Sequence, residues 1–242
     1  MKVNTDGVLL GGAMTLLPSD RNLLDVGTGT GTIALMAAQR LCGIVNIPET
    51  DEISGEGDIP GADDIGFTIL AIDSDAPSAA EAALNFKASP WKGNLTALHC
   101  PLEDYGPASD FDLIFSNPPY FESSLKAPDP RRRSARHAGT MSYREILGFA
   151  SLHLSPSGRV SLILPSDCER ELLMNAASVG LYPFRILYVG TVPGKPFSRI
   201  IAEFARGPLA KAPFREEMFI HAPDGGYSDA YRTLLRDFLI IF

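Results

Sequence analysis

Short apolar runs alternate with amphipathic stretches along most of the chain. RNLLDVG reads as a buried strand ending near Val26, and TIALMAAQRL has the residue types and apolar spacing of a helix. FTILAID, residues 67–73, predicts a second strand, followed by a helix over APSAAEAALNFKAS. LTALHC and FDLIFS predict a third and a fourth strand. YREILGFASLHL puts Ile146, Leu147, Ala150 and Leu154 at helical spacing. GRVSLILP is a fifth strand, and CERELLMNAASVG a helix closed by Gly180. FRILYVG and SRIIAEFAR are two late strands joined through Pro193, Gly194 and Pro196, which predicts an antiparallel hairpin at one edge. The alternation predicts an α/β fold in one domain over residues 1–242: a seven-stranded, mostly parallel sheet with helices on both faces.

Three segments depart from this rhythm. Residues 44–66 are acidic and rich in Gly and Pro, which predicts a surface insertion. Residues 121–141 carry Arg131, Arg132, Arg133, Arg136 and His137, and predict a substrate loop. The C-terminal extension, residues 208–242, has a turn at Pro223-Asp224-Gly225-Gly226 and then an amphipathic helix near Ser228 to Phe238, with Ser228 as its cap. It is expected to pack on the domain.

Charge and cysteine content change this picture little. The net charge of −8 argues at first against a nucleic-acid partner, but Glu49, Asp51, Glu52, Glu56, Asp58, Asp63 and Asp64 all fall in the insertion. Without those seven, 22 acids face 21 Lys and Arg, so the global charge says nothing about partners. Cys42, Cys100 and Cys168 fit no disulfide or zinc spacing and read as free thiols of a cytoplasmic protein. No metal site is expected. No apolar run approaches the roughly 18 residues of a membrane span, and the start lacks the features of a signal peptide.

Two motifs carry chemistry. The first is Asp25-Val26-Gly27-Thr28-Gly29-Thr30-Gly31, between the first strand and the first helix of the alternation. Glycines there allow a sharp turn and close approach of a ligand. The spacing GxGxG differs from the GxGxxG of dinucleotide sites, and no P-loop lysine follows. A strand-terminal acid, Asp73, is placed to accept hydrogen bonds from ribose hydroxyls. It lies 42 residues after Gly31, and removing the insertion restores an interval of about 20. The second motif is Asn117-Pro118-Pro119-Tyr120, a stiff, extended bend after the fourth strand.

The glycine loop and its acid resemble those of class I S-adenosylmethionine-dependent methyltransferases, which have a Rossmann-like fold. The resemblance implies that the glycine segment, Gly27, Thr28, Gly29 and Gly31, lines the methionine moiety. Asp25 would sit near its amino group and Asp73 would hold the ribose. An acid that often follows the third strand to meet adenine is replaced here by a proline-containing stretch, CPLED, leaving backbone or Leu102 for that contact. Asn117-Pro118-Pro119-Tyr120 resembles the (D/N/S)PP(Y/F/W) motif of enzymes that methylate planar amino nitrogens. Such a nitrogen gives its lone pair to a π system. The Asn117 and Pro118 carbonyls would accept its two N–H bonds and turn the lone pair toward the donor methyl, while Tyr120 offers a stacking face.

MKVNTDGVLLG closely resembles the MKVGTDGVLLG segment of the tRNA1(Val) adenine-37 N6-methyltransferases. FDLIFSNPPYF, HAGTMSYREIL, GRVSLILP and YSDAYRTLLRDFLIIF extend the similarity over nearly the whole chain. That resemblance implies Thr5 and Asp6 near the cofactor and a flipped-out adenine of a tRNA anticodon loop as substrate; a monomer or weak dimer is expected. Asn4 stands in place of glycine. A phenylalanine- and glutamine-containing segment common before MKV is missing, which points to a chain lacking its first residues. The arginine cluster with His137 would meet phosphates flanking the base. Lys195 and Arg199 could add phosphate contacts. Two alternatives stay open. One is a glutamine N5-methyltransferase acting on release factors, which shares NPPY but carries an N-terminal helical domain. The other is a non-catalytic cofactor-binding module.

Overall fold

The computed structural model describes residues 5–45, 66–119, 141–207 and 210–241. The expected insertion (its residues 46–65), most of the expected substrate loop (its residues 121–140), and Met1 to Asn4 lie outside the described residues. Tyr120, Arg131, Arg132, Arg133, Arg136 and His137 lie outside them too.

Among the described residues, eight strands form one sheet: β1 (Asn22–Val26), β2 (Thr68–Asp73), β3 (Leu95–His99), β4 (Phe111–Ser116), β5 (Leu154–Pro165), β6 (Leu181–Gly190), β7 (Phe197–Arg206) and β8 (Phe214–Phe219). Their spatial order is β3-β2-β1-β4-β5-β7-β6-β8. Every neighbouring pair is parallel except those of β7, which runs against β5 and β6. The helices are α1 (Thr5–Ala13), α2 (Thr32–Val45), α3 (Ala76–Ala88), α4 (Tyr143–His153), α5 (Glu169–Ser178) and α6 (Asp229–Leu235). From β1 the chain steps outward through β2 and β3, then returns to place β4 on the other side of β1. That reversal opens a crevice at the carboxyl ends of β1 and β4, where open α/β sheets bind ligands.

The central strands are buried on both faces, so adjacent residues face opposite cores. Leu23, Leu113, Phe115 and Ile163 join the core under α1, α2, α3 and α6. Leu24, Ile114, Leu162 and Leu164 join the core under α4 and α5. Helix starts follow their caps. Asp75 accepts from Ser78 N at the start of α3, Ser142 and Glu145 form a capping box on α4, and Ser228 accepts from Tyr231 N at α6, as expected.

Three elements differ from the sequence expectation. β8 is an eighth strand beyond the seven expected; it adds parallel to β6 at the sheet edge. Its sequence, FREEMF, buries only Met218, so charge hides it, as suits an edge strand. Helix α1 was not anticipated, because Gly7, Gly11 and Gly12 depress helix propensity. Those glycines permit close packing: a Cβ on Gly11 would lie 2.7 Å from Met36 Sδ. β5 starts at Leu154, earlier than GRVSLILP implies.

A buried polar network anchors the exit of α1. Glu203, wholly buried on β7, accepts from Thr15 N and Oγ1 at 2.9 Å and from Arg185 at 2.6 Å. Arg185 and Arg40 donate to the last carbonyls of the helix, Ala13 O and Gly11 O. At the opposite end of α1, Asp6 pairs with Arg199 of β7 at 2.9 Å. Arg199 lies opposite Pro165, the last residue of β5. The start of α1 is therefore fixed at the sheet edge that carries the crevice.

Candidate active site

The loop after β1 is shaped by its glycines. Gly27, Gly29 and Gly31 have φ of 70°, 59° and 81°, a region that residues with a Cβ rarely adopt. Gly31 is doubly constrained, since a Cβ there would lie 2.4 Å from the ring of Phe86 on α3. The loop is tied to β2: Gly27 N and Thr28 N both donate to Ile72 O, at 2.9 and 3.1 Å. Asn85 on α3 donates to Thr30 O at 2.8 Å and closes the far side.

Asp73 ends β2, as the sequence suggested, and organises the loop as well. Its Oδ2 accepts from Gly29 N at 2.8 Å and its Oδ1 from Asp75 N at 2.9 Å. A carboxylate has about four acceptor directions, so both oxygens keep capacity for hydroxyl donors.

Asp25 is completely buried. Thr28 Oγ1 donates to its Oδ2 at 2.7 Å, while Oδ1 is buried without a hydrogen-bond partner. Burial pushes its carboxyl up to about 7; the Thr28 hydrogen bond opposes that, and the neighbouring Asp73 charge adds to it. A carboxyl raised on folding binds its proton more tightly in the native state. It therefore stabilises the fold at low pH, and that stability is lost as pH rises from the unfolded value near 3.8 to about 7. The expected result is that Asp25→Asn gains stability relative to the unsubstituted chain as pH rises through this window, by at most about 4 kcal/mol. Urea unfolding of both proteins between pH 5 and 8 checks this; a constant difference contradicts it.

Beside the loop is a cleft of about 640 Å³ including its open mouth. Its walls come from the ends of β1 and β2 (Val26, Gly27, Ile72, Ser74), from Cys100 to Glu103, and from Met141. Cys100 N donates to Asp73 O at 2.9 Å, and a 3₁₀ turn over Leu102–Asp104 buries Leu102 against the cleft. Of these residues, sequence reasoning singled out Gly27 and Leu102. It read Cys100 to Asp104 as the stretch facing adenine, through backbone or Leu102, and missed Ile72, Ser74 and Met141. Position just past a parallel strand was the available signal for Ser74. Glu103 supplies an acid on this wall, where the sequence had left the adenine contact open.

Asn117-Pro118-Pro119 leaves β4 next to the glycine loop. Ser116, the last residue of the strand, donates from Oγ to Val26 O at 2.6 Å in a buried hydrogen bond. Asn117 is half-buried, Pro118 buried and Pro119 exposed. The structure thus brings Asp25, the three glycines, Thr28, Asp73, Leu102 and Asn117 to one edge of β1, β2 and β4. Thr5 and Asp6 lie at the same edge, beside β5 and β7, with Asp6 engaged by Arg199. Among the described residues, no group of three or more His, Cys, Asp or Glu is arranged to hold a metal ion. No helix among them is long and apolar enough to cross a membrane.

No family model matches the chain. Full-length relatives do. The chain is 36% identical over 244 residues to the tRNA1(Val) (adenine(37)-N6)-methyltransferase of Bacteroides fragilis, spanning 99% of this chain and 91% of the relative. It is 36% identical over 246 residues to the protein of the same description in Photobacterium profundum, spanning 99% and 92%. Among solved structures, a "predicted O-methyltransferase" from Agrobacterium tumefaciens superposes with a TM-score of 0.67 at 16% identity, covering 96% of each chain. The CcbJ methyltransferase of Streptomyces caelestis gives a TM-score of 0.51 at 10% identity, covering 84% of this chain and 94% of that one. These structures share the fold.

Proposed function

The chain belongs to the tRNA1(Val) (adenine(37)-N6)-methyltransferase family, and on that premise we propose that it transfers a methyl group from S-adenosylmethionine to N6 of adenine 37 in the anticodon loop of tRNA1(Val). One observation carries this reading: the buried Ser116–Val26 hydrogen bond sets Asn117-Pro118 beside the glycine loop.

The residues present fit the cofactor. The glycine turn leaves room for close approach of a ligand, and a Cβ on Gly27 would meet Met141 at 3.0 Å, narrowing the cleft. The buried, partnerless Oδ1 of Asp25 suits an ammonium group close by. Asp73 retains acceptor capacity for ribose hydroxyls. The wall of Ile72, Leu102 and Met141 suits the faces of a purine. When bound, S-adenosylmethionine supplies an electrophilic methyl carbon on a sulfonium.

The task left to the protein is to make a poor nucleophile face that carbon. The exocyclic nitrogen of adenine is conjugated with its ring. The Asn117 side-chain carbonyl and the Pro118 main-chain carbonyl accept its two N–H bonds, draw it toward tetrahedral geometry and aim its lone pair. With the cofactor bound, its methyl would be the group that the nitrogen receives, and Asn117 and Pro118 would hold the amino group while one nitrogen proton leaves to water. Positioning and fixed dipoles supply the rate. Tyr120 offers a stacking face for the flipped base. Arg131, Arg132, Arg133, Arg136 and His137 follow it in the sequence and supply phosphate contacts.

Tritiated methyl from S-adenosylmethionine is expected to enter tRNA lacking this modification. Incorporation into a release factor and none into tRNA would overturn the substrate assignment.

A further inference from the structure

Residues 190–197 and 217–232 build a second concave site that the methyl-transfer reading does not use. β8 is parallel to β6, so its carboxyl end opens on the same sheet edge as the crevice. Beyond it, the chain folds back on itself. Ala222 N bonds to Gly226 O, His221 pairs with Tyr227 in an antiparallel bridge, and Ser228 N bonds to Ile220 O. The turn between them contains Gly225 at a φ of 88°. His221 N also bonds to Thr191 O at the end of β6, which fixes the turn to the sheet.

The rings of His221, Tyr227 and Tyr231 stack in succession, with centroids 5.2 and 5.3 Å apart. Phe197 and Phe219 stack beside them at 5.5 Å. Phe219, His221 and Tyr227 line a pocket of about 1130 Å³ including its open mouth. Its charged lining is three carboxylates, Glu217, Asp224 and Asp229, and one guanidinium, Arg232. His221 Nδ1 is buried without a hydrogen-bond partner.

We propose that this pocket is a second nucleobase site, taking an unpaired nucleotide of the same RNA whose adenine enters the crevice. The inference rests on the proposed function. A flat ring such as His221, backed by Tyr227 and Tyr231 at a rigid edge, is what an unstacked base packs on. The excess of carboxylates disfavours a phosphate inside the pocket, so the sugar-phosphate backbone stays at its mouth and the base alone enters. A base edge bearing amino groups suits them, because carboxylates accept from such groups. Four strand spacings separate β4 from β8, or about 20 Å along the sheet edge. Bases near the target in a single-stranded loop can bridge that span, so the pocket would select the loop by a nucleotide other than the one modified.

Steady-state methylation of unmodified tRNA tests this, with His221→Ala, His221→Phe and Asp224→Asn beside the unsubstituted protein. Loss of base stacking is worth about 1–3 kcal/mol, so His221→Ala is expected to raise KM for tRNA about tenfold. Its kcat and its cofactor affinity should be retained. His221→Phe keeps a flat ring and should stay near the starting KM; Asp224→Asn keeps the turn and should raise KM. In parallel, anticodon stem-loops carrying 2-aminopurine at each unpaired non-target position are titrated with protein. One position should be quenched by the unsubstituted chain and by His221→Phe. If His221→Ala fails to fold, Asp224→Asn and the quenching decide. An unchanged KM in Asp224→Asn and in any folded His221→Ala, or no quenched position, overturns the second site while leaving the proposed function standing. No methylation of any tRNA by the unsubstituted protein removes both.

Discussion

Replacing Asn117 with Ala is expected to lower methyl transfer to tRNA by about 10²–10³-fold, with affinity for S-adenosylmethionine kept. The size follows from the chemistry. Of the two carbonyls proposed to grip the amino group, only one is a side chain, and removing it leaves a conjugated, planar nitrogen held by a single acceptor. The Pro118 carbonyl persists because it belongs to the backbone. Asn117→Asp retains an acceptor oxygen and should keep more activity than the Ala variant. The fold should tolerate either change, since Asn117 is half-buried and lies beyond the last residue of β4. Single-turnover rates with saturating RNA and cofactor, alongside calorimetry of cofactor binding, separate the two effects. Equal losses in rate and cofactor binding would show that Asn117 serves the cofactor and not the amine.

Asp73→Ala is expected to fail at the opposite stage, in cofactor binding. Its carboxylate holds Gly29 N at 2.8 Å and Asp75 N at 2.9 Å, so it sets the shape of the glycine loop and the entry to α3. It also has the free acceptor directions proposed for the ribose. Hydrogen bonds to charged groups contribute about 1.5–3 kcal/mol each, and the loss of two such bonds predicts a cofactor Kd raised about 100-fold or more. Asp73→Asn keeps one acceptor oxygen and should fall between. Titration calorimetry with S-adenosylhomocysteine checks both; a Kd for Asp73→Ala within a few-fold of the unsubstituted protein would contradict the assignment.

What could be read from the sequence divides along physical lines. The buried parallel strands were legible because burial on both faces demands continuous apolar runs, as in NLLDV and FDLIFS. The glycine loop was legible because positive φ at Gly27, Gly29 and Gly31 restricts residue identity directly. Helix α1 was not, since its glycines oppose helix formation and tertiary contact with Met36 overrides that preference. β8 escaped notice because an edge strand carries charge where a central strand carries apolar side chains. The cleft wall was only partly legible. Ile72, Cys100 and Met141 meet through packing of segments distant in sequence, and no residue type marks them. Asp25 shows the same limit: its type was conspicuous, but its burial and its lock by Thr28 became visible only in three dimensions.

Fragment mass spectrometry of tRNA1(Val), isolated from cells with the gene, without it, and with it restored as the Asn117→Ala form, tests the central claim most directly. N6-methyladenosine is expected at nucleotide 37 with the intact gene, and unmodified adenosine there in both of the other strains. Methylation that persists without the gene, returns fully with Asn117→Ala, or falls on a different nucleotide would contradict it.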